Sequence, residues 1–253
     1  MAELTVTVQD HVALIEWSRP PANHFDRDLL VSIADAGEAA ASNGVRVIVL
    51  ASQGRHFCAG ADFSAGQIQA DPAGAIGALY EAGQRIFALP VPVIAAVQGA
   101  AVGGGLGLAC AADFRVATPR ARFQANFARL GIHQGFATSL TLPRIVGQQH
   151  AASMLYGGHS VRGEEALRIG LVDRLAAEGA ERDEALALAG EIAASAPLAV
   201  RSIRSTLRAD LLAGLDDALA REVAEQARLM TTADAAAGIE ASLAREVPTF
   251  TGR

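Results

Sequence analysis

Two short glycine-rich segments each follow an apolar run, and the chemistry they could do is the stabilisation of an anion by backbone amides. Residues 52–62 read SQGRHFCAGAD after the apolar run 45–50, and residues 98–108 read QGAAVGGGLGL after Val93–Val97. Small residues let another group approach the backbone closely. The second segment runs into a short helix, whose first turn carries unpaired N–H groups and a partial positive charge. If the two turns face one another, two amides converge on one point, the arrangement that stabilises a developing oxyanion. A tight loop that needs glycine explains either turn alone; the pair, each after an apolar strand, favours the anion hole. Other glycine-based sites do not fit. The spacing at Gly103, Gly104 and Gly105 is not that of a dinucleotide fingerprint, no Lys follows as in a phosphate loop, and no Gly-x-Ser-x-Gly elbow is present. Cys58 and Cys110 cannot build a disulfide framework and lack the Cys or His company that zinc needs, so no metal is expected.

The elements that must hold these turns follow from periodicity. Leu4, Val6, Val8, then Val12 and Leu14 alternate as two strands with Gln9, Asp10 and His11 as the turn. Residues 26–42 have helical spacing, with Leu29, Leu30, Ile33 and Ala36 on one face, and Asn43 and Gly44 end the helix before the strand 45–50. The pattern repeats with a helix over 72–89, a break at 90–92, a buried strand Val93–Val97, the glycine turn with its short helix, and a strand Phe114–Ala117. This alternation predicts an α/β architecture. From Thr138 onward the chain reads as helical almost throughout, with breaks near Gly147, Gly157, Gly158, Gly170, Gly179, Pro197 and Gly214. Its helices are expected to pack on the α/β core or on a neighbouring subunit.

Composition narrows the function classes. Hydrophobic residues are 51% of the 253 and charged ones 19%, which is too apolar for disorder, yet no unbroken apolar stretch reaches membrane length. A net charge of -6 without a Lys/Arg run argues against nucleic acid as a partner. Residues 1–10 carry no export pattern, so a cytoplasmic location and no membrane partner are expected.

Six segments resemble one family. RPPANHF at 19–25, HFCAGAD at 56–62, PVIAAVQGAAVGGGLGLACAAD at 92–113, LPRIVG at 142–147, ALRIGLVDRL at 166–175 and PTF at 248–250 are similar to the enoyl-CoA hydratase/isomerase, or crotonase, superfamily over nearly the whole chain. The resemblance implies an α/β fold, a crotonase-like spiral of ββα turns over residues 1–195, with a helical C-terminal trimerisation region over 196–253. It implies a homotrimer or a dimer of trimers, an acyl-CoA substrate, and no cofactor beyond the CoA moiety. It also implies that Ala61 and Gly104 supply the two oxyanion-hole amides. Pro21, Ala22, His24, Ala59, Asp62 and Phe63 fall where such proteins line the CoA adenine and pantetheine.

The departures from the family pattern bear on the reaction. Its hydratases carry one glutamate three residues after the oxyanion-hole glycine and another four residues before a glycine on the following segment; here those positions hold Gly107 and Phe127. Neither can move a proton, and hydration needs one group to activate water and another to protonate the α-carbon. Residues 131–138, GIHQGFAT, run along the pocket in the family. His133 is the proton-transfer candidate there because its ordinary pKa lies near operating pH, with a histidine bonded to backbone in a packed loop as the alternative. Gln134 can orient a water or a carbonyl but cannot act as a base. Asp62 and Asp113 are expected to tie down backbone amides, Glu81 to be solvated, and both cysteines to pack. The expected function is that of an acyl-CoA-processing protein of the enoyl-CoA hydratase kind that stabilises a thioester enolate, with slow hydration. An isomerase, decarboxylase or thioester hydrolase reaction is the alternative within enzymes, and a non-catalytic acyl-CoA-binding protein is the alternative outside them.

Overall fold

The computed structural model describes residues 3–62 and 71–253. Strands β1 (Glu3–Gln9) and β2 (Val12–Ser18) pair antiparallel around Asp10 and His11, both left-handed at φ 48 and 65. Such a turn matches the twist of the strands it joins. Asp26 caps α1 (Arg27–Ser42) by accepting from Leu29 N at 2.9 Å, and the helix ends at Asn43 before Gly44. Then follow β3 (Val47–Ser52), α2 (Pro72–Phe87), β4 (Val93–Val97), β5 (Ala100–Val102), α3 (Gly104–Ala111), β6 (Phe114–Ala117) and β7 (Arg122–Gln124). A 3-10 turn at Phe127–Leu130 leads to α4 (Thr138–Gly157), β8 (Ser160–Arg162), α5 (Gly163–Arg168), β9 (Arg174–Leu175) and α6 (Glu181–Ala193). Three helices close the chain: α7 (Pro197–Ala213), α8 (Leu215–Leu229) and α9 (Ala233–Ala244).

The main sheet has the order β1-β2-β3-β4-β6-β9 and is parallel from β2 onward; a smaller sheet has the order β5-β7-β8. Both faces of the parallel part are buried, which is why β3 and β4 read as unbroken apolar runs. Ile48, Leu50, Val93 and Ala95 face the larger core with α1 and α2, while Val47, Val49, Ile94 and Ala96 face Ala185, Leu188 and Ala189 of α6. The expected α/β class and helical C-terminal region are therefore present. Two strands nevertheless interrupt the stretch expected to be helical from Thr138 onward, β8 and β9. They and β5 and β7 are two or three residues long, too short for a period-2 pattern to register in sequence.

The C-terminal helices are fastened to the sheet by charge as well as by apolar contact. Leu215, Leu219 and Ala235 join the larger core. Asp113 accepts from Val93 N at 2.8 Å, as expected, but its carboxylate also takes Arg204 Nε at 2.8 Å and Arg208 Nη1 at 3.0 Å from α7. Those guanidiniums go on to the carbonyls of Leu89, Phe87 and Ala111. A buried arginine donates at each step to an acceptor that would otherwise be unsatisfied.

Candidate active site

The two glycine turns do face one another, and Phe25 sits between them. Phe25 N donates to Gly60 O at 3.0 Å, and Asp62 N donates to Phe25 O at 2.9 Å, making a parallel bridge to Ala61. In such a bridge the flanked residue's own N–H points away from the partner strand. The Ala61 amide is thereby turned outward, while the Phe25 ring packs so close to Gly104 that a β-carbon there would stand 2.6 Å from Cζ. Gly60 is left-handed at φ +105, and a β-carbon on it would lie 3.7 Å from Gly104 N. Gly104 opens α3, so its amide has no partner within the helix. Among the described residues neither the Ala61 nor the Gly104 amide meets an acceptor. Ala61 and Gly104 both line one cleft, together with Ile76, Leu79, Phe127, Leu130, Ile132 and Met230.

Among the described residues the polar side chains lining this cleft are Tyr80, Asn126 and Gln226. The Tyr80 hydroxyl donates to Gln226 Oε1 at 2.9 Å, and Gln226 Nε2 donates to His133 O at 2.8 Å. Burial pushes the Tyr80 pKa well above its ordinary value, so the group keeps its proton and is a donor, not a base. No carboxylate or imidazole belongs to the lining among the described residues, and residues 63–70, FSAGQIQA, contain no titratable side chain.

The ring of Phe136 fills the space where a glutamate at position 107 would project. It lies 5.2 Å from the Phe25 ring and 6.0 Å from those of Tyr80 and Phe87. A β-carbon on Gly107 would stand 2.6 Å from Phe136 Cβ and 2.7 Å from its carbonyl oxygen; one on Gly83 would meet Cζ at 2.6 Å. Phe136 and Ala137 both adopt the left-handed region, φ 58 and 57, which costs a non-glycine residue energy and persists where surroundings impose it. Glu222 of α8 supplies part of that constraint. Its carboxylate accepts from Ala137 N at 2.8 Å, Ser139 N at 3.0 Å and Ser139 Oγ at 2.5 Å, capping α4, which has no side-chain cap of its own.

Burial raises the Glu222 pKa to about 7, against the three hydrogen bonds that lower it. The folded chain then holds this proton more tightly than the unfolded one. Its contribution to stability is complete below the ordinary glutamate pKa and is lost as pH rises through about 7. Urea denaturation between pH 5 and pH 8 is expected to show a fall in stability that Glu222→Gln flattens; parallel curves for the two proteins would contradict it.

Ala59, Ala61 and Gly104 line the cleft. Ala22 lies beside them, its carbonyl accepting from Ala59 N at 3.1 Å. Pro21 is exposed and His24 half-buried on the same loop. Asp62 takes Arg19 Nη2 at 3.1 Å in an ion pair. Phe63 lies outside the described residues. His133 and Gln134 are not brought to the cleft: His133 Nδ1 lies 2.8 Å from Gln134 O, and since a carbonyl can only accept, Nδ1 carries the proton. The expected proton-transfer role of His133 loses its geometric basis, because the ring bonds along its own loop. Glu81 is exposed, and burial raises the Cys58 and Cys110 thiols to about 12 and about 11, as packing residues. Sequence reading missed Tyr80, Phe136, Glu222 and Gln226. Tyr80 was within reach of it, since with Ile76, Leu79, Gly83 and Phe87 it forms the buried stripe of α2.

The family model described as enoyl-CoA hydratase/isomerase matches residues 7–253. A probable enoyl-CoA hydratase of Mycobacterium tuberculosis is 36% identical over 232 residues, 88% of each chain. A crotonyl-CoA hydratase of Syntrophomonas wolfei is 35% identical over 222 residues, 85% of this chain and 84% of that one. A crystal structure of an enoyl-CoA hydratase/isomerase from Pseudoalteromonas atlantica superposes with a TM-score of 0.86 at 26% identity, covering 98% and 99%.

Proposed function

We propose, since the chain belongs to the enoyl-CoA hydratase/isomerase family, that it processes an acyl-CoA thioester and holds the thioester enolate on the amides of Ala61 and Gly104. What supports this reading is that Ala61 and Gly104, whose amides meet no acceptor among the described residues, both line one largely apolar cleft. In a water-poor site, fixed donors aimed at a developing oxyanion are worth far more than in water. Among the described residues the cleft's lining offers no carboxylate or imidazole to act as a base, so hydration by the family's two-glutamate route is slow in this reading. Decarboxylation is the second reading, favoured by the same lining. It needs no base: the electron pair of the breaking C–C bond passes to the enolate, carbon dioxide leaves, and a solvent water protonates the α-carbon, the hydroxide left behind returning to bulk. Apolar walls favour neutral carbon dioxide over the bound carboxylate.

Calorimetry with acetyl-CoA, followed by turnover assays with crotonyl-CoA and malonyl-CoA, tests both readings. Measurable binding is expected, with crotonyl-CoA hydrated well below the typical enzyme rate of about ten per second. No heat at millimolar acetyl-CoA would remove the acyl-CoA reading, and fast hydration would remove the base-free one.

The same reading includes assembly through the C-terminal helices into a trimer or a dimer of trimers. Leu198, Ile203 and Leu207 of α7 are 80%, 59% and 74% exposed, more apolar surface than a single helix usually leaves to water. Light scattering at micromolar concentration is expected to give a multiple of three chains; a monomer would contradict it.

A further inference from the structure

Away from the acyl cleft, the small sheet carries an arrangement that strand pairing alone disfavours. Arg122 of β7 and Arg162 of β8 are direct partners in the antiparallel ladder. Their side chains leave the sheet on the same side, and like charges placed so are destabilising. Arg55, His56 and Arg120 line the same cleft, of about 770 Å³, in a chain whose net charge is -6. Glu178 is the one carboxylate among the described lining residues; it accepts from Arg120 N at 3.0 Å and lies 4.0 Å from Arg120 Nε. Among the described residues Arg55, Arg122 and Arg162 form no ion pair.

The walls are fixed before any ligand arrives. Gln98 Nε2 lies within 3.2 Å of the carbonyls of Ser52, Gly54 and His56, and Asn23 Nδ2 donates to those of Gln53 and His56. Arg122 is held between Ala100 and Arg162 in the ladder. The His56 Nδ1 atom is buried without a partner. Burial first, then the positive charges of Arg55 and Arg122 and the nearby His24, hold its pKa below the ordinary value.

We propose that this cleft binds a phosphoryl anion, a phosphate ester or diphosphate of a small molecule, seated on the Arg122 and Arg162 pair with Arg55 and Arg120 beside it. Guanidinium forks match phosphate oxygens two at a time, and the cavity has the size of a small-molecule site, well beyond one ion. An anion there relieves the repulsion that the ladder imposes, and local rules broken without compensation mark functional places. The phosphates are those of a phosphorylated metabolite separate from the acyl-CoA. The two clefts share no lining residue, but residues 56 and 59 of one loop border them respectively.

The test titrates inorganic diphosphate into the whole protein by calorimetry, for the wild type and for Arg122→Gln/Arg162→Gln. Affinity is expected to fall about tenfold or more in the variant, the scale of losing charge-assisted hydrogen bonds. The ligand-free variant is expected to melt no lower than the wild type, because a like-charge pair has been removed. The His56 imidazole, followed by NMR, is expected to titrate at higher pH with diphosphate present. Independent binding of diphosphate and acetyl-CoA supports the proposal; competition between them, with N-acetylcysteamine thioester binding unaffected in the variant, assigns the cleft to the phosphates of CoA and overturns it. No heat with millimolar diphosphate, or equal affinity in a folded variant, overturns the proposal whether or not the acyl cleft binds its thioester.

Discussion

Asp113→Ala is expected to cost about 3–5 kcal/mol of folding stability, the scale for breaking a buried ion pair from one side. The carboxylate is 15% exposed and each of its two arginine partners 9%, so removing it strands two guanidiniums with carbonyl acceptors alone. Val93 N at the start of β4 loses its acceptor in the same step. For a chain of this size the melting temperature should drop by roughly 10 °C. Urea denaturation gives the number, and a loss below about 1 kcal/mol, the scale of a surface pair, would show that these charges are solvated. Replacing Asp113, Arg204 and Arg208 together by apolar residues of similar volume should recover much of the loss, because apolar substitutes for a whole buried ionic group are often neutral.

Asp113 also marks the boundary of what sequence could tell. Its position after α3 and before β6 was enough to expect that it ties down an amide, and it does. Its two arginines lie some ninety residues away on α7, and no local pattern links them. The facing of the two glycine turns was legible because each half follows from local chemistry: an apolar strand, small residues, and a helix start. The rest of the cleft was not, because it is assembled across the chain. Tyr80 comes from α2 and Gln226 from α8, and Gln226 reads in sequence as one more polar residue of an amphipathic helix. Glu222 likewise caps a helix to which it is not adjacent in sequence. His133 drew attention by residue type alone, and its ring bonds along its own loop. Residue type proposes chemistry, while the facing element decides whether the group reaches the site.

Position 107 shows that decision at its sharpest. If the chain lacked hydratase chemistry merely for want of two carboxylates, Gly107→Glu with Phe127→Glu would supply them. Gly107 instead lies against the backbone of a neighbour: its β-carbon would meet Phe136 Cβ at 2.6 Å and Phe136 O at 2.7 Å. Trimming the Phe136 ring leaves both of those atoms in place. Any side chain at 107 must therefore push the turn at Phe136 and Ala137 aside, against Glu222 and the ring contacts of Phe25. Phe25 in turn holds Ala61 by its backbone and leans on Gly104 by its ring, so strain at 107 is passed to the two amides. Gly107→Ala is expected to cost about 2–3 kcal/mol, toward the upper end for overpacking a core, and Gly107→Glu more. Acetyl-CoA affinity should weaken about tenfold, since a shift near 1 Å misplaces donors that need hydrogen-bond distance. Phe127→Glu, at the cleft wall, should fold and leave hydration slow, because one proton-transfer group without the other does not complete the reaction. Gly107→Glu with wild-type stability and rapid crotonyl-CoA hydration would show that the turn yields, and that the missing carboxylate alone had set the reaction aside.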